Sequence, residues 1–402
     1  MIHQLAVRDH TMATIGASPT LNITTATNVS TFAALRREWG DLLDDSTAGV
    51  FNSWEWLYPW YRRIGSEREL HLLAARKENG HLLGLLPLSL EKRRAMGRTL
   101  RRLSFLGDTE VGSDYLDVIA RNGQEVDVRR ALLVHVRENG DWDVLDLLDM
   151  DSDSPTLDLL RELFSEEQFV IETSDGSICP YEQFAPGLQY DAFMKGTSRY
   201  DNFVRRRKWL EKQPRYIVER TTDPGELAGP MSDFMHLHAQ RWAGEGGSQG
   251  ITGPAVEAFH RDAAQFLAER NQLCLYTMRL GEKAVASVYG ILHGGKFIYY
   301  QSGRDPEWQS KSVGLVLIGE TFRHAFELGL QEYDFLRGME SYKADWVTQQ
   351  RRTVSVRIYR KDGPGVWITR HEQAERSARS FAKKTLPAGL TQRLRRISRG
   401  EA

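Results

Sequence analysis

Ionisable side chains crowd one short segment late in the chain: Arg337, Gly338, Met339, Glu340, Ser341, Tyr342, Lys343, Ala344, Asp345, Trp346. Acyl transfer needs such a set, because a base must take a proton from the attacking amine or hydroxyl and an acid must protonate the leaving group. Glu340 has the chemistry of the base, and Tyr342 or Lys343 that of the donor. Residues three apart share a face in a helical turn, so Lys343 is expected beside Glu340, and Arg337 beside Glu340. The plainer reading of the same spacing is an ion-paired turn leading into a core Trp346.

A second group of candidates precedes this segment. Lys311, Ser312, Val313 and Gly314 open an apolar helix just after a strand that ends at Ser302. Uncapped amides at a helix start, helped by the positive end of its dipole, form a seat for a pyrophosphate, and Lys311 adds a full charge. Ser312 as an ordinary N-cap is the alternative. Backbone amides near Tyr300, Gln301 and Ser302 are placed to polarise a thioester carbonyl. His238 and Arg241 are candidates for lining a cleft. His236 and His238 are two apart and so do not face one another on a helix, which argues against a metal site, and none is expected. No Ser-His-Asp order, P-loop or HExxH pattern appears.

The elements that must hold these groups follow from periodicity. In the second half, a basic helix over Asp191 to Lys212 with Arg205, Arg206, Arg207 and Lys208, a strand Tyr216 to Arg220 and a helix Leu227 to Trp242 come first. After the glycine-rich break Gly244 to Gly253 come a helix Pro254 to Arg270 and three antiparallel strands, Cys274 to Leu280, Lys283 to His293 and Lys296 to Ser302. A helix Ser312 to Leu328 and strands Tyr333 to Leu336 and Val354 to Tyr359 complete the order. The first half runs similarly. Phe32, Leu35, Trp39, Leu42 and Leu43 have helical spacing with Ser30 or Thr31 as cap, and a helix Trp54 to Ile64 follows. Strands Leu70 to Arg76 and Leu82 to Leu90 are joined by a turn at Glu78, Asn79 and Gly80. Next come a strand Tyr115 to Ile119, a helix Glu125 to Asn139, a strand Val144 to Leu148, a helix Pro155 to Phe164 and a strand Phe169 to Thr173. Strands separated by helices imply an α/β sheet.

With 402 residues, 41% apolar, 27% charged and a net charge of -1, the chain reads as two folded soluble domains, with no global sign of a nucleic-acid partner. The divisions are a loose leader over 1–22, domains over 23–187 and 188–368, and a basic tail over 369–402. Cys179 and Cys274 are far apart and are expected to be buried thiols in a reducing compartment. The first residues lack the apolar stretch of a signal peptide, and the longest apolar runs fall short of a membrane span. A cytoplasmic protein with no transmembrane segment is expected. In the tail, Leu386, Leu390, Leu394 and Ile397 could line one face of a basic helix, either solvated or in peripheral contact with a membrane.

Four stretches carry a resemblance: Phe51-Asn52-Ser53-Trp54-Glu55-Trp56-Leu57, Ser113-Asp114-Tyr115-Leu116-Asp117, His238-Ala239-Gln240-Arg241-Trp242 and Asp334-Phe335-Leu336-Arg337-Gly338-Met339-Glu340-Ser341-Tyr342-Lys343. The chain resembles the CelD-type acetyltransferases of the GNAT superfamily, relatives of the Fem aminoacyltransferases. The resemblance implies tandem GNAT-like α/β folds, each a mixed, mostly antiparallel sheet flanked by helices. It further implies acetyl-CoA or another acyl-CoA bound in the second half, and a link to cellulose or exopolysaccharide production. His238, Arg241, Trp242 and Asp334 would then bind the acceptor, a small molecule or glycan precursor. Standard GNAT enzymes carry a longer glycine motif before the pyrophosphate helix, of which only Gly314 is present here. Two rival expectations remain, Fem-like transfer from an aminoacyl-tRNA and a non-catalytic scaffold in polysaccharide assembly.

Overall fold

A computed structural model describes residues 21–95, 97–243 and 251–366. Most of the expected leader and almost the whole expected tail lie outside the described residues. Asn22, assigned above to the leader, already opens a strand.

Among the described residues thirteen strands and ten α-helices follow one another along the chain. They are β1 (Asn22–Ala26), α1 (Val29–Ala34), α2 (Arg36–Asp44), α3 (Trp54–Arg63), β2 (Glu69–Arg76), β3 (Leu82–Ala95), β4 (Arg98–Phe105), β5 (Ile119–Ala120), α4 (Glu125–Asn139), β6 (Val144–Asp151), α5 (Thr156–Leu163) and β7 (Phe169–Gln183). The second half supplies α6 (Tyr190–Gly196), α7 (Tyr200–Leu210), β8 (Tyr216–Thr221), α8 (Ala228–Ala243), α9 (Pro254–Glu269), β9 (Leu273–Leu280), β10 (Lys283–His293), β11 (Lys296–Arg304), α10 (Val313–Glu327), β12 (Glu332–Asp334) and β13 (Gln349–Arg360).

One sheet runs through the whole molecule in the order β1-β2-β3-β4-β6-β13-β7-β12-β11-β10-β9-β8, with β5 beside β3. Its two wings repeat. Each has four antiparallel strands, then a parallel partner reached through a helix: β4 pairs β6 across α4, and β11 pairs β12 across α10. Each parallel strand is flanked by an antiparallel one taken from elsewhere in the sequence, β13 beside β6 and β7 beside β12. β7 and β13 pair along most of their length and weld the wings together. This is a tandem GNAT-like α/β fold.

Several sequence expectations need correction. The helix at Asp191 to Lys212 is two helices, since the stretch Thr197 to Arg199 breaks it. The leading helix is capped by Asn28, whose Oδ1 accepts from Thr31 N at 2.8 Å, and not by Ser30 or Thr31. The strand at Tyr115 to Ile119 reduces to Ile119–Ala120, because Tyr115 adopts a left-handed φ of 62° that no strand permits. β1 and β4 had no sequence forecast.

Helix α3 of the first half packs on α9 of the second. Trp54 meets Phe266 and Trp56 meets Phe259 edge-on, and Arg63 pairs with Asp262 at 2.7 Å outside them. Trp39, Trp56 and Trp60 are fully buried, and truncating any of them to Ala would cost about 3–5 kcal/mol. One apolar cluster therefore spans both halves. Cys179 and Cys274 are buried free thiols, as expected, and burial raises both above the usual thiol range.

Candidate active site

The parallel pair β11 and β12 is hydrogen-bonded over only three positions, Lys296 with Glu332, Phe297 with Tyr333 and Ile298 with Asp334. β11 continues to Arg304. The chain beyond Asp334 leaves it and follows β7, with Phe335 N donating to Pro180 O and Gly338 N to Ile178 O, both at 3.0 Å. Local chemistry makes the bend: Asp334 Oδ1 accepts from Leu336 N at 2.7 Å, and Leu336 takes a left-handed φ of 55°. The two strands diverge, and the gap opens into cavities.

A cavity of about 480 Å³ lies on one side, lined by β10 at Ala286 to Val288, by Ser302, Gly303 and Arg304 of β11 and by the first turns of α10. Ser312 there sits at a left-handed φ of 57° and makes no side-chain cap bond, so the first amides of α10 open toward the cavity. A second cavity of about 340 Å³ lies between the halves, lined by Thr109 to Gly112 and Asp114 of the first half and by Trp242, Tyr300, Gln301, Leu336 to Gly338 and Lys343 of the second. Four residues line both cavities: Arg241, Tyr299, Glu340 and Tyr342.

Helix α8 delivers Arg241. It approaches β11 closely because position 303 is glycine, where a Cβ would fall 2.4 Å from His238 N and 2.5 Å from the Leu237 carbonyl carbon. The buried Arg241 guanidinium donates to Ser302 O at 3.3 Å and to Ser302 Oγ at 2.5 Å, and lies over the rings of Trp242 and Tyr342. Glu340 is brought in by a tight turn. Gly338 has a φ of 105°, which demands glycine, and a Cβ on it would meet Glu340 Oε2 at 2.6 Å and push that side chain aside. Lys343 Nζ is 2.9 Å from Glu340 Oε2 as an ion pair without hydrogen-bond alignment, and donates to Arg337 O at 2.7 Å. Burial pushes the Tyr342 phenol well above its ordinary pKa, so it keeps its proton.

The expected pairing of Arg337 with Glu340 does not occur. Arg337 reaches into the other half, where its Nε donates to the fully buried Asp114 at 2.8 Å and its NH2 to Ser113 O at 2.7 Å, with Asp149 3.0 Å away. Arg337 N also donates to Asp114 Oδ2 at 3.0 Å. Burial raises the Asp114 carboxyl while the guanidinium opposes the rise. Left-handed backbone at Tyr115, Asp149 and Leu336 surrounds this cluster, a concentration of strain that an ion pair between halves holds in place. Arg337 therefore anchors the turn that carries Glu340.

Other candidates divide. Ser302, Ser312, Val313 and Gly314 line the first cavity. Tyr300 and Gln301 line the second cavity instead, and Tyr300 Oη donates to Val111 O at 2.6 Å. Lys311 does not line either cavity; its Nζ rests 4.8 Å from the centre of the Trp209 ring. Trp242 lines the second cavity, whereas His238 is buried behind it, with its pKa lowered to about 4 by desolvation and then by Arg241. Asp334 lies in neither. It lines a third cavity of about 370 Å³ with Tyr115 and Arg351, and desolvation raises its pKa to about 6. Sequence reasoning missed Tyr299 and the Thr109 to Gly112 loop. Among the described residues no cluster of three or more His, Cys, Asp or Glu side chains is arranged to hold a metal ion.

Residues 197–344 match the family described as Acetyltransferase (GNAT) domain. No curated protein matches the chain. Among solved structures the chain is similar to FemX, with 12% identity over 80% of this chain and 95% of that one and a TM-score of 0.58. It is also similar to the C-terminal domain of a putative lysylphosphatidylglycerol synthetase from Agrobacterium fabrum, at 8% identity over 85% and 96% and a TM-score of 0.51. L-PGS from Bacillus licheniformis gives 11% identity over 83% and 96%, also with a TM-score of 0.51. At these identities the structures speak for the fold. The matched domain contains β11, α10, β12 and the Glu340 turn, and the protein is an enzyme of the GNAT N-acyltransferase type.

Proposed function

We propose that the protein transfers an acetyl or other short acyl group from acyl-CoA to an amine or hydroxyl of a sugar-like acceptor, a cell-envelope or exopolysaccharide precursor of the kind the CelD-type resemblance suggests. The observation that carries this reading is the set of four residues shared by the two cavities. A thioester reaching through the first cavity and an acceptor held in the second can meet only there.

The first cavity fits a coenzyme A thioester in kind: a strand edge left open by divergence, the uncapped start of a fifteen-residue helix, and Arg199 and Arg304 along its walls. Acyl-CoA, when bound, supplies an activated acyl group. Glu340 takes the acceptor proton, and Lys343 keeps the carboxylate oriented. Tyr342, which burial keeps protonated, supplies a proton to the departing sulfur. Arg241, desolvated beside Ser302, stabilises negative charge developing on the carbonyl oxygen, since a fixed cation acts most strongly where water is excluded. Transfer is direct, within a ternary complex.

The second reading is transfer from an aminoacyl-tRNA, favoured by the exposed cations near Arg205 beside the first cavity, whose wall includes Asn202. Calorimetric titration with acetyl-CoA and then with aminoacyl-tRNA separates the two. Saturable binding of acetyl-CoA that Gly314→Trp abolishes is the expected result. Absence of that binding together with salt-sensitive binding of aminoacyl-tRNA overturns the first reading.

A further inference from the structure

The β3–β4 hairpin outgrows the sheet. β3 pairs with β2 only up to Leu90, and β4 pairs with β6 only from Arg102 onward. Past those limits β3 and β4 pair solely with each other, Arg93 with Leu100, Arg94 with Thr99 and Ala95 with Arg98, whereas the Arg101 backbone is still tied to Asp143. The result is a two-stranded tip with no further strand partner among the described residues. An isolated ribbon of this kind is marginal in water on its own, so its sequence is under little pressure from packing.

Six of its residues from 91 to 102 are Lys or Arg and only Glu91 is acidic, in a chain whose overall charge is -1. Lys92 and Arg101 stand directly opposite one another, a like-charge arrangement that weakens a hairpin. Those two are partly answered, Lys92 by Glu69 at 2.6 Å and Arg101 by Asp141 and Asp143. Arg93, Arg94 and Arg98 are exposed and form no ion pair among the described residues. Alternation puts Arg93 and Arg98 on one face and Arg94 on the other. This leaves three exposed cations at the far end of β4 from the Thr109 to Gly112 loop of the acceptor cavity.

The described chain ends beside this ribbon. Val366 packs in a small cluster with Leu100, Val144, Val170 and Tyr359. The remaining sequence, 367–402, carries nine Lys or Arg against three acids, with Leu386, Leu390 and Leu394 spaced four apart. That is the composition of a segment that lies on a lipid surface, and stable attachment to a membrane takes two such signals. We propose that the projecting ends of β3 and β4 dock this protein on an anionic lipid surface, with Arg93, Arg94 and Arg98 contacting the headgroup phosphates. The alternative polyanion, an RNA, is disfavoured because the ribbon sequence holds no aromatic side chain to stack a base.

The test uses the full chain with Arg93, Arg94 and Arg98 all changed to Ala, and a companion with all three changed to Lys. Co-sedimentation is measured on vesicles of phosphatidylcholine alone and of phosphatidylcholine mixed with phosphatidylglycerol. The unaltered protein should bind only the anionic vesicles. Partitioning should fall at least about tenfold in the Ala variant, stay within about threefold in the Lys variant, and weaken as salt shortens the screening length. Unchanged thermal melting shows that the Ala variant is folded. Equal binding of the Ala variant and the unaltered protein overturns the proposal, as does equal binding to neutral vesicles. Ribbon-dependent binding of bulk tRNA that outcompetes the anionic vesicles overturns it in favour of a nucleic acid. None of these readouts depends on acyl transfer.

Discussion

Glu340 and Lys343 form one unit, because the lysine both faces the carboxylate and ties back to the Arg337 carbonyl. Glu340→Gln keeps the shape and removes the base. Its turnover should fall by about 10²–10⁴-fold while acetyl-CoA affinity stays within a few-fold, the signature of a group used only in the chemical step. Lys343→Met should cost both turnover and stability, since it removes the buried cation that pairs with Glu340 and donates to the Arg337 carbonyl. Stopped-assay turnover together with calorimetry checks both, and unchanged rates would remove the pair from the reaction. At the same scale, two histidines set a pH response. Desolvation lowers His238 to about 4 and His260 to about 3, from an ordinary 6.5. The unfolded chain therefore takes up protons below pH 6.5 that the folded chain refuses. The stability these residues contribute is complete above that pH and drains as pH falls toward 4 and then 3, each with a slope of about 1.4 kcal/mol per pH unit. Urea melts of His260→Phe from pH 7 to 4 should show a shallower decline than the unaltered protein. Parallel curves would show that His260 titrates normally.

Among the elements, α8 and β11 matter most, since their close contact at Gly303 presses Arg241 against Ser302. A methyl group at position 303 would meet backbone atoms and not a flexible side chain, so α8 itself must shift. Gly303→Ala should lower turnover by about tenfold or more through misplacement by a fraction of an ångström, and destabilise the fold by roughly 1–3 kcal/mol. Kinetics beside denaturant melts test this, and a variant with unaltered values would mean that the contact is looser than drawn. The tip of the β3–β4 hairpin, at Arg93, Arg94 and Arg98, has the opposite character. It packs little and carries charge, so its substitution affects partners before stability.

For the whole molecule, the exchanged strands decide what counts as a unit. β13 comes last in the described chain yet fills the slot between β6 and β7, and β7 of the first half completes the wing that holds the active site. A chain stopped at Thr348 would leave two long strand edges unpaired, the condition that invites aggregation. Expression of 1–348 should yield insoluble or molten protein, as would 188–402 alone, which lacks β7. A sharp cooperative melt and native-like acetyl-CoA binding by either fragment would refute this dependence.

Much of this was legible from residue patterns. Helical spacing gave α4 to the residue, alternation gave β2, and glycine turns marked off β9, β10 and most of β11, because each of those strands pairs with a neighbour close in sequence. The crowding of Arg337, Glu340, Tyr342 and Lys343 singled out a candidate site, and all four line the second cavity. Partner choice across long separations was not legible. Nothing in the spacing of Arg337 distinguishes Glu340, three residues away, from Asp114, which reaches it only when β13 and β7 have joined the wings. Asp334 likewise reads as a site residue and serves as the hinge of a strand end. The sequence by itself determined which side chains could do chemistry and which segments would be helix or strand, since both depend on near neighbours. Tertiary structure alone decided which of them share a cavity, since that depends on strands paired from opposite ends of the chain.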